Sequence, residues 1–106
     1  MARVLTLLGA EMILAPAWGG DLTQIRARAL DNGIHVVTAG YDVPSAIIDP
    51  AGEVRAQTWK GQGDGTAFAT VDLARRSLRP WIGDWHAAVM KQRRPDLYRG
   101  LAEEPR

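Results

Sequence analysis

The sequence contains no cysteine among its 106 residues, which excludes disulfides, thiolate metal sites and a cysteine nucleophile within this chain. Aromatic residues are few, at 7%, and the formal charge is only +1, so no global field points to nucleic acid or to an anionic membrane. No apolar run approaches the ~18 residues of a membrane span. The start, Met1-Ala-Arg-Val-Leu-Thr-Leu-Leu-Gly9, is too short for a signal h-region and carries no cleavage site, so the chain reads as cytoplasmic and not membrane-bound. Only two histidines are present, His35 and His86, and their separation in sequence matches no metal-ligand spacing. No metal and no cofactor are expected. What remains is ordinary globular composition, 46% hydrophobic and 24% charged, in a length that suits one folding unit.

Hydrophobic periodicity divides this unit into short elements. Val4, Leu5, Leu7 and Leu8 before Gly9 predict the last turns of an amphipathic helix stopped by a glycine. The run from Glu11 to Trp18 is apolar without alternation, as in a strand covered on both faces, and Gly19-Gly20 ends it. Asp21 is suited to cap a helix, with Gln24 three residues on, an apolar stripe of Leu22, Ile25, Ala29 and Leu30, and a stop at Gly33. Residues 34–41 and 45–49 read as buried strands. Asp49-Pro-Ala-Gly52 has the chemistry of a type I turn, leading to a hairpin partner over 53–58.

The loop Gly61-Gln-Gly-Asp-Gly65 lacks the Lys-Ser/Thr of a phosphate cradle and reads as a hairpin turn into a strand over 66–71. Beyond Arg75 the composition changes. An irregular tail is expected there, with one short helix near 83–91 and Trp81, Ile82, Trp85 and Val89 forming one packed face. Strands apolar on both faces need two covering layers, and short helices supply one, so a second sheet is called for.

The order of these segments resembles the nitrilase superfamily of carbon–nitrogen hydrolases. The residues that carry the likeness are Gly9-Ala-Glu11, Pro16-Ala-Trp18, Arg26-Ala-Arg-Ala-Leu-Asp-Asn-Gly33, Val36-Val37, Ser45-Ala-Ile-Ile-Asp-Pro-Ala-Gly52, Gly63-Asp-Gly65, Asp72-Leu73 and Arg93-Arg-Pro-Asp-Leu-Tyr98. Asp31 stands where many members have Glu, and Ala39-Gly40 where many have Ala-Asn. The resemblance implies an α/β (α+β) fold, half of a four-layer α-β-β-α sandwich with an irregular C-terminal tail. Residues 1–75 would form the C-terminal half of the hydrolase domain and 76–106 a tail making an oligomer contact.

The same resemblance implies hydrolysis of a non-peptide C–N bond, as in amidases and N-carbamoyl amidases. The family's catalytic Cys, Glu and Lys all lie upstream of the point matched by Met1, so no catalytic residue is assigned here. Pro16, Ala17 and Trp18 would lie near the substrate pocket. A small amide, nitrile or carbamoyl substrate would bind only if an N-terminal half completed the site, and the chain is expected to form a homo-oligomer. The alternative is a noncatalytic oligomerisation module derived from the fold.

Other chemistry fits less well. Ser45 opens a strand without a G-x-S-x-G elbow, Ser77 is the second of only two serines, and His35 lies in an apolar strand, which disfavours a serine triad. Lys91, Arg93, Arg94 and Tyr98 could touch nucleic acid, but Asp84, Asp96, Glu103 and Glu104 dilute their field, so no nucleic-acid partner is expected.

Overall fold

A computed structural model describes residues 1–18, 21–41, 45–58, 65–74, 78–92, 94 and 96–97, without the side chains of Ala17, Trp18 and Tyr41. The elements follow the order α1 (Ala2–Leu7), β1 (Met12–Trp18), α2 (Leu22–Asn32), β2 (His35–Tyr41), β3 (Ala46–Ile48), β4 (Val54–Gln57), β5 (Leu78–Arg79), β6 (Gly83–Asp84) and α3 (Trp85–Lys91). The strands β1 to β4 make one sheet in sequence order. The β1–β2 pair is parallel, joined by α2 as the crossover, and β2–β3 and β3–β4 are antiparallel.

Each helix boundary has a chemical cause. Asp21 accepts a hydrogen bond from the Thr23 N–H at 2.8 Å and so satisfies one of the orphan donors at the start of α2. Asp84 does the same for α3, accepting from Ala87 N–H at 3.2 Å. α1 closes with Gly9 N–H to Thr6 O and Ala10 N–H to Leu5 O, the paired bonds of a Schellman motif.

Register partners carry their side chains to the same side of a sheet, so the ladder separates the two faces. Ile13, Val36, Ile48 and Val54 form one row, and α2 covers it: Ala29, Ile34, Val36, Ala46 and Ile48 are the buried core, with Leu22 and Ile25 packed against it. The next row, Leu14, Val37, Ile47 and Ala56, points the other way. The three helices contact one another and α2 lies against β2, so they form a single layer on the core side. Leu14 is 69% exposed on the opposite face. His35, which the register places on that same face, is buried, so the expectation of strands buried on both faces is met on the helix side and only in part on the other.

The turn between β3 and β4 is held from inside. The Asp49 carboxylate, itself buried, accepts from the Ala51 and Glu53 N–H groups at 2.9 and 3.0 Å and from Arg55 Nε at 2.7 Å. A bulge between the Ile47–Ala56 and Ile48–Val54 pairs places Arg55 as the extra residue, where its guanidinium meets Asp49. Gly52 takes φ +78°, a side chain there would crowd Leu30 and the Arg26 carbonyl, and Arg26 Nε donates to Gly52 O at 2.7 Å. The hairpin is thus tied to α2.

Two readings of the second half of the chain change. Residues 65–72 are described but form no strand, since alternation favours extended backbone but does not itself supply a pairing partner. The described residues 78–92 of the tail are more regular than expected. Leu78–Arg79 pairs with Gly83–Asp84 around a turn at Pro80-Trp81, closed by Ile82 N–H to Arg79 O at 3.3 Å. Trp81 has φ +72°, the left-handed conformation of the third residue of a type II turn, and its side chain is fully exposed. Trp81 and Trp85 therefore do not share a packed face, because the turn places them on different surfaces. The expected helix near 83–91 is present as α3.

The junction between α2 and α3 leaves no room for change. Gly33 ends α2 at φ +64°, and a Cβ added there would lie 2.9 Å from the His86 backbone nitrogen. Gly33→Ala is expected to combine a left-handed penalty of ~1–2 kcal/mol with displacement of α3, for a total loss of roughly 2–4 kcal/mol. Urea denaturation of the variant would measure it, and a loss below ~1 kcal/mol would contradict the close docking of α3.

Candidate functional site

In sheets with parallel strands and crossover helices, ligands bind at the carboxyl ends of the strands. The carboxyl ends of β1 and β2 lie side by side here, with Pro16 opposite Ala39, Ala17 opposite Gly40 and Trp18 opposite Tyr41. Pro16 lacks an N–H and sits on the strand at the edge of the sheet, where no ladder bond is lost. Pro16 and Ala39 are exposed. The fold thus gathers Pro16, Ala17 and Trp18 at one rim, and adds Ala39, Gly40 and Tyr41, which sequence reasoning did not assign. The signal for these was the parallel register, which only the crossover through α2 reveals.

Ser45 joins the same rim. Its hydroxyl accepts from Gly40 N–H at 3.0 Å, and its backbone exchanges bonds with Thr58, N–H to Thr58 Oγ1 at 2.9 Å and carbonyl from Thr58 N–H at 2.9 Å. The hydroxyl therefore extends the sheet past the last β2–β3 pair. His35 stands five residues back along β2, roughly 17 Å away at ~3.3 Å per residue, beyond any proton transfer to Ser45. His86 packs its backbone against Gly33, at that same remote end of the sheet. No serine–histidine pair forms among the described residues, and Ser77 lies outside them.

The titratable groups cluster instead at the amino end of β2. His35 is buried, and its backbone N–H bonds to Glu11 O at 3.1 Å. Burial holds its imidazole below the usual histidine range, because desolvation outweighs the attraction of the nearby Asp49 and Asp72 carboxylates. The Arg55 guanidinium pushes in the same direction as burial. Burial thus favours the neutral imidazole of His35, as befits a core histidine.

No group of metal-ligating side chains occurs among the described residues. No described helix is long and apolar enough to cross a membrane. Arg94 pairs with Asp96 through two hydrogen bonds at 3.1 and 2.8 Å, and this contact holds the exposed Asp96 carboxyl below its usual range. That pairing neutralises part of the basic segment considered for nucleic acid; Arg93 and Tyr98 lie outside the described residues.

His35 supplies a pH dependence. Its folded-state pKa is lower than its unfolded value of about 6.5, so the unfolded chain takes up the proton first as pH falls. Stability is constant from this group above about pH 6.5 and declines below it until the folded-state pKa is reached. Wild type is expected to lose stability between pH 7 and pH 5 more steeply than His35→Phe, as followed by chemical denaturation at each pH. Parallel slopes for the two proteins would contradict the assignment.

No family model matches the sequence, and no curated protein does either. Solved structures do match. A mutant amidase from Nesterenkonia sp. AN1, with the acetamide moiety of fluoroacetamide covalently added at its active-site cysteine, superposes with a TM-score of 0.66 at 22% identity over 94% of this chain and 38% of its own. The NitN amidase of the same organism gives 0.66 at 22% identity, covering 95% of this chain and 40% of that one. A further mutant of the enzyme, described as an amidase from the nitrilase superfamily, gives 0.63 at 25% identity over 95% and 38%. The chain thus spans about two fifths of the length of these amidases. Its mixed α/β architecture, with a four-stranded sheet and three helices among the described residues, is similar in fold to nitrilase-superfamily amidases.

Proposed function

We propose that this chain is the C-terminal portion of a carbon–nitrogen hydrolase domain, of the amidase or N-carbamoyl amidase type, and that it is inactive alone. One observation carries the proposal: nearly the whole chain is similar in fold to amidases, one of which carries an acetamide moiety covalently added at an active-site cysteine, while this chain has no cysteine. In this reading the layer described here is the α-β half of a four-layer α-β-β-α sandwich. The exposed face with Leu14 supports it, since such a face is what an inner sheet of a sandwich presents to its partner.

The chemistry would be acyl transfer. A thiolate attacks the amide, nitrile or carbamoyl carbon, a general base and acid move the proton to the departing nitrogen, and water then releases the acyl group from sulfur. None of those groups belongs to this chain in the proposal. Its contribution is the rim at the carboxyl ends of β1 and β2, with Pro16, Ala17 and Trp18 lining one side of the substrate pocket. The positions of Ala39, Gly40 and Ser45 beside them would fix the backbone of that wall. A cytoplasmic setting and a small amide, nitrile or carbamoyl substrate complete the reading, with binding dependent on an N-terminal half that carries the nucleophile.

Ammonia release from short aliphatic amides tests this directly. The purified chain alone is expected to give the rate of buffer, and co-expression with the N-terminal half of a nitrilase-fold amidase is expected to give turnover above it. Hydrolysis by the chain alone would overturn the assignment of the nucleophile to another segment. Absence of turnover from a stable complex of the two halves would overturn the hydrolase reading.

A further inference from the structure

We propose that Asn32–Gly33 is a latent self-modification site: the folded junction of α2 with the tail holds it closed, and Asn32 deamidates through a succinimide once that junction opens. This chemistry is independent of the hydrolase reading. Asn32 is the only asparagine in the chain, and a glycine follows it. In such a pair the backbone nitrogen of the second residue attacks the side-chain amide carbon of the first, and glycine, with no Cβ, leaves that approach unhindered.

The step balances with water as its only co-reactant. The Gly33 nitrogen bonds to Asn32 Cγ and loses its proton, while the Cγ–Nδ2 bond breaks and Nδ2 leaves as ammonia, giving a five-membered imide. Water then opens the imide at either carbonyl. One product is an aspartate with the main chain unchanged. The other is an isoaspartate, whose main chain runs through Cβ and is one atom longer.

The folded structure blocks each component of this step. Asn32 is only 3% exposed. Its Nδ2 donates to Arg28 O at 2.8 Å, which holds the amide back along α2. Asn32 is the last residue of that helix, and the Gly33 N–H that must become the nucleophile donates instead to Ala29 O. Distant groups keep this turn closed: Arg79 donates to Leu30 O at 2.7 Å, Trp85 Nε1 to Asp31 O at 2.9 Å, and the His86 main chain packs on Gly33. Access to the site therefore follows local opening of the tail.

The products do not fit back into the closed junction. A carboxylate in place of the amide has no proton to give Arg28 O, and it sits at the negative end of the helix dipole. Asn32 Oδ1 has no hydrogen-bond partner among the described residues, so no donor awaits the new charge. The longer isoaspartate chain would carry the Gly33 and Ile34 N–H groups away from Ala29 O, and the buried Ile34 out of the core. Opening is thereby recorded in a covalent change.

Incubation of the full chain in mildly alkaline buffer, followed by peptide mass mapping, tests the proposal. In guanidinium chloride, wild type is expected to convert the Asn32 peptide to aspartate and isoaspartate, and Asn32→Gln, whose longer side chain disfavours ring closure, to remain unmodified. Folded wild type is expected to react more slowly than the unfolded chain by over about tenfold. Arg79→Ala removes a surface anchor and leaves the core residues in place, so it is expected to fold, as circular dichroism would verify, and to react roughly tenfold faster than folded wild type. Trp85→Phe, which loses the indole bond to Asp31 O, gives the same reading should Arg79→Ala not fold.

Equal rates for folded and unfolded wild type would overturn the proposal, because the junction would then shield nothing. An unmodified Asn32 in guanidinium chloride would overturn it too, as would a folded anchor variant that reacts no faster than wild type. Isoaspartate chains that regain the wild-type unfolding midpoint on dilution would remove the covalent record. None of these readouts depends on amide hydrolysis by a complemented complex.

Discussion

The last turn of α2 leaves carbonyl groups that the helix itself cannot satisfy, and much of the structure is arranged around supplying their partners. Asn32 Nδ2 donates to Arg28 O at 2.8 Å, Gly33 and Ile34 N–H to Ala29 O, Arg79 to Leu30 O at 2.7 Å, and both Trp85 Nε1 and Arg3 to Asp31 O at 2.9 and 3.3 Å. Three separate parts of the chain, α1, the β5–β6 hairpin and α3, thereby meet at one helix end. The Arg79 guanidinium also lies 4.1 Å from the centre of the Trp85 ring, a cation–π contact of about 0.5–1 kcal/mol at an exposed site. The positive charges of Arg3 and Arg79 sit where the helix dipole is negative, which adds to the same lock. Gly33 is needed there for two reasons at once, its left-handed backbone and the His86 main chain against it.

This lock explains why the helices form one layer. With α1 and α3 both drawn to the end of α2, no described helix is left for the far side of the sheet, and Leu14 is exposed there while Val36 and Ile48 are buried on the helix side. The fold is therefore one-sided by construction. An open sheet face and a rim of strand ends are the two features it offers, and the proposed hydrolase role uses both. Ser45, His35 and His86 serve the scaffold: a ladder extension, a neutral core imidazole and a helix docked on glycine.

Local signals in the sequence were legible wherever the stabilising partner lies nearby. Asp21 and Gly33 bound α2, Asp49-Pro-Ala-Gly52 makes its turn with Asp49 bonding two and four residues ahead, and the α3 segment reads from its own apolar spacing. The motif order also anticipated the fold. What escaped were features fixed at a distance. Arg79 and Trp85 reach carbonyls 49 and 54 positions earlier, so nothing near them distinguishes an anchored tail from an irregular one. The spacing of Trp81 and Trp85 suggested one helix face, but Pro80 at the second position of a turn puts Trp81 in a left-handed conformation instead. Residues 66–71 alternate as a strand does, yet alternation does not encode which strand, if any, they pair with.

In the proposed hydrolase the sheet is covered by its own helices on one face and by the sheet of an N-terminal half on the other. Methyl-resolved NMR with a soluble paramagnetic probe tests it most directly, comparing Leu14, Val37 and Ile47 with the exposed Leu8. In a complex with the N-terminal half of a nitrilase-fold amidase, the three sheet methyls are expected to be protected while Leu8 is strongly broadened. Leu14 and Ile47 methyls broadened as much as Leu8 in that folded complex would contradict the sandwich reading.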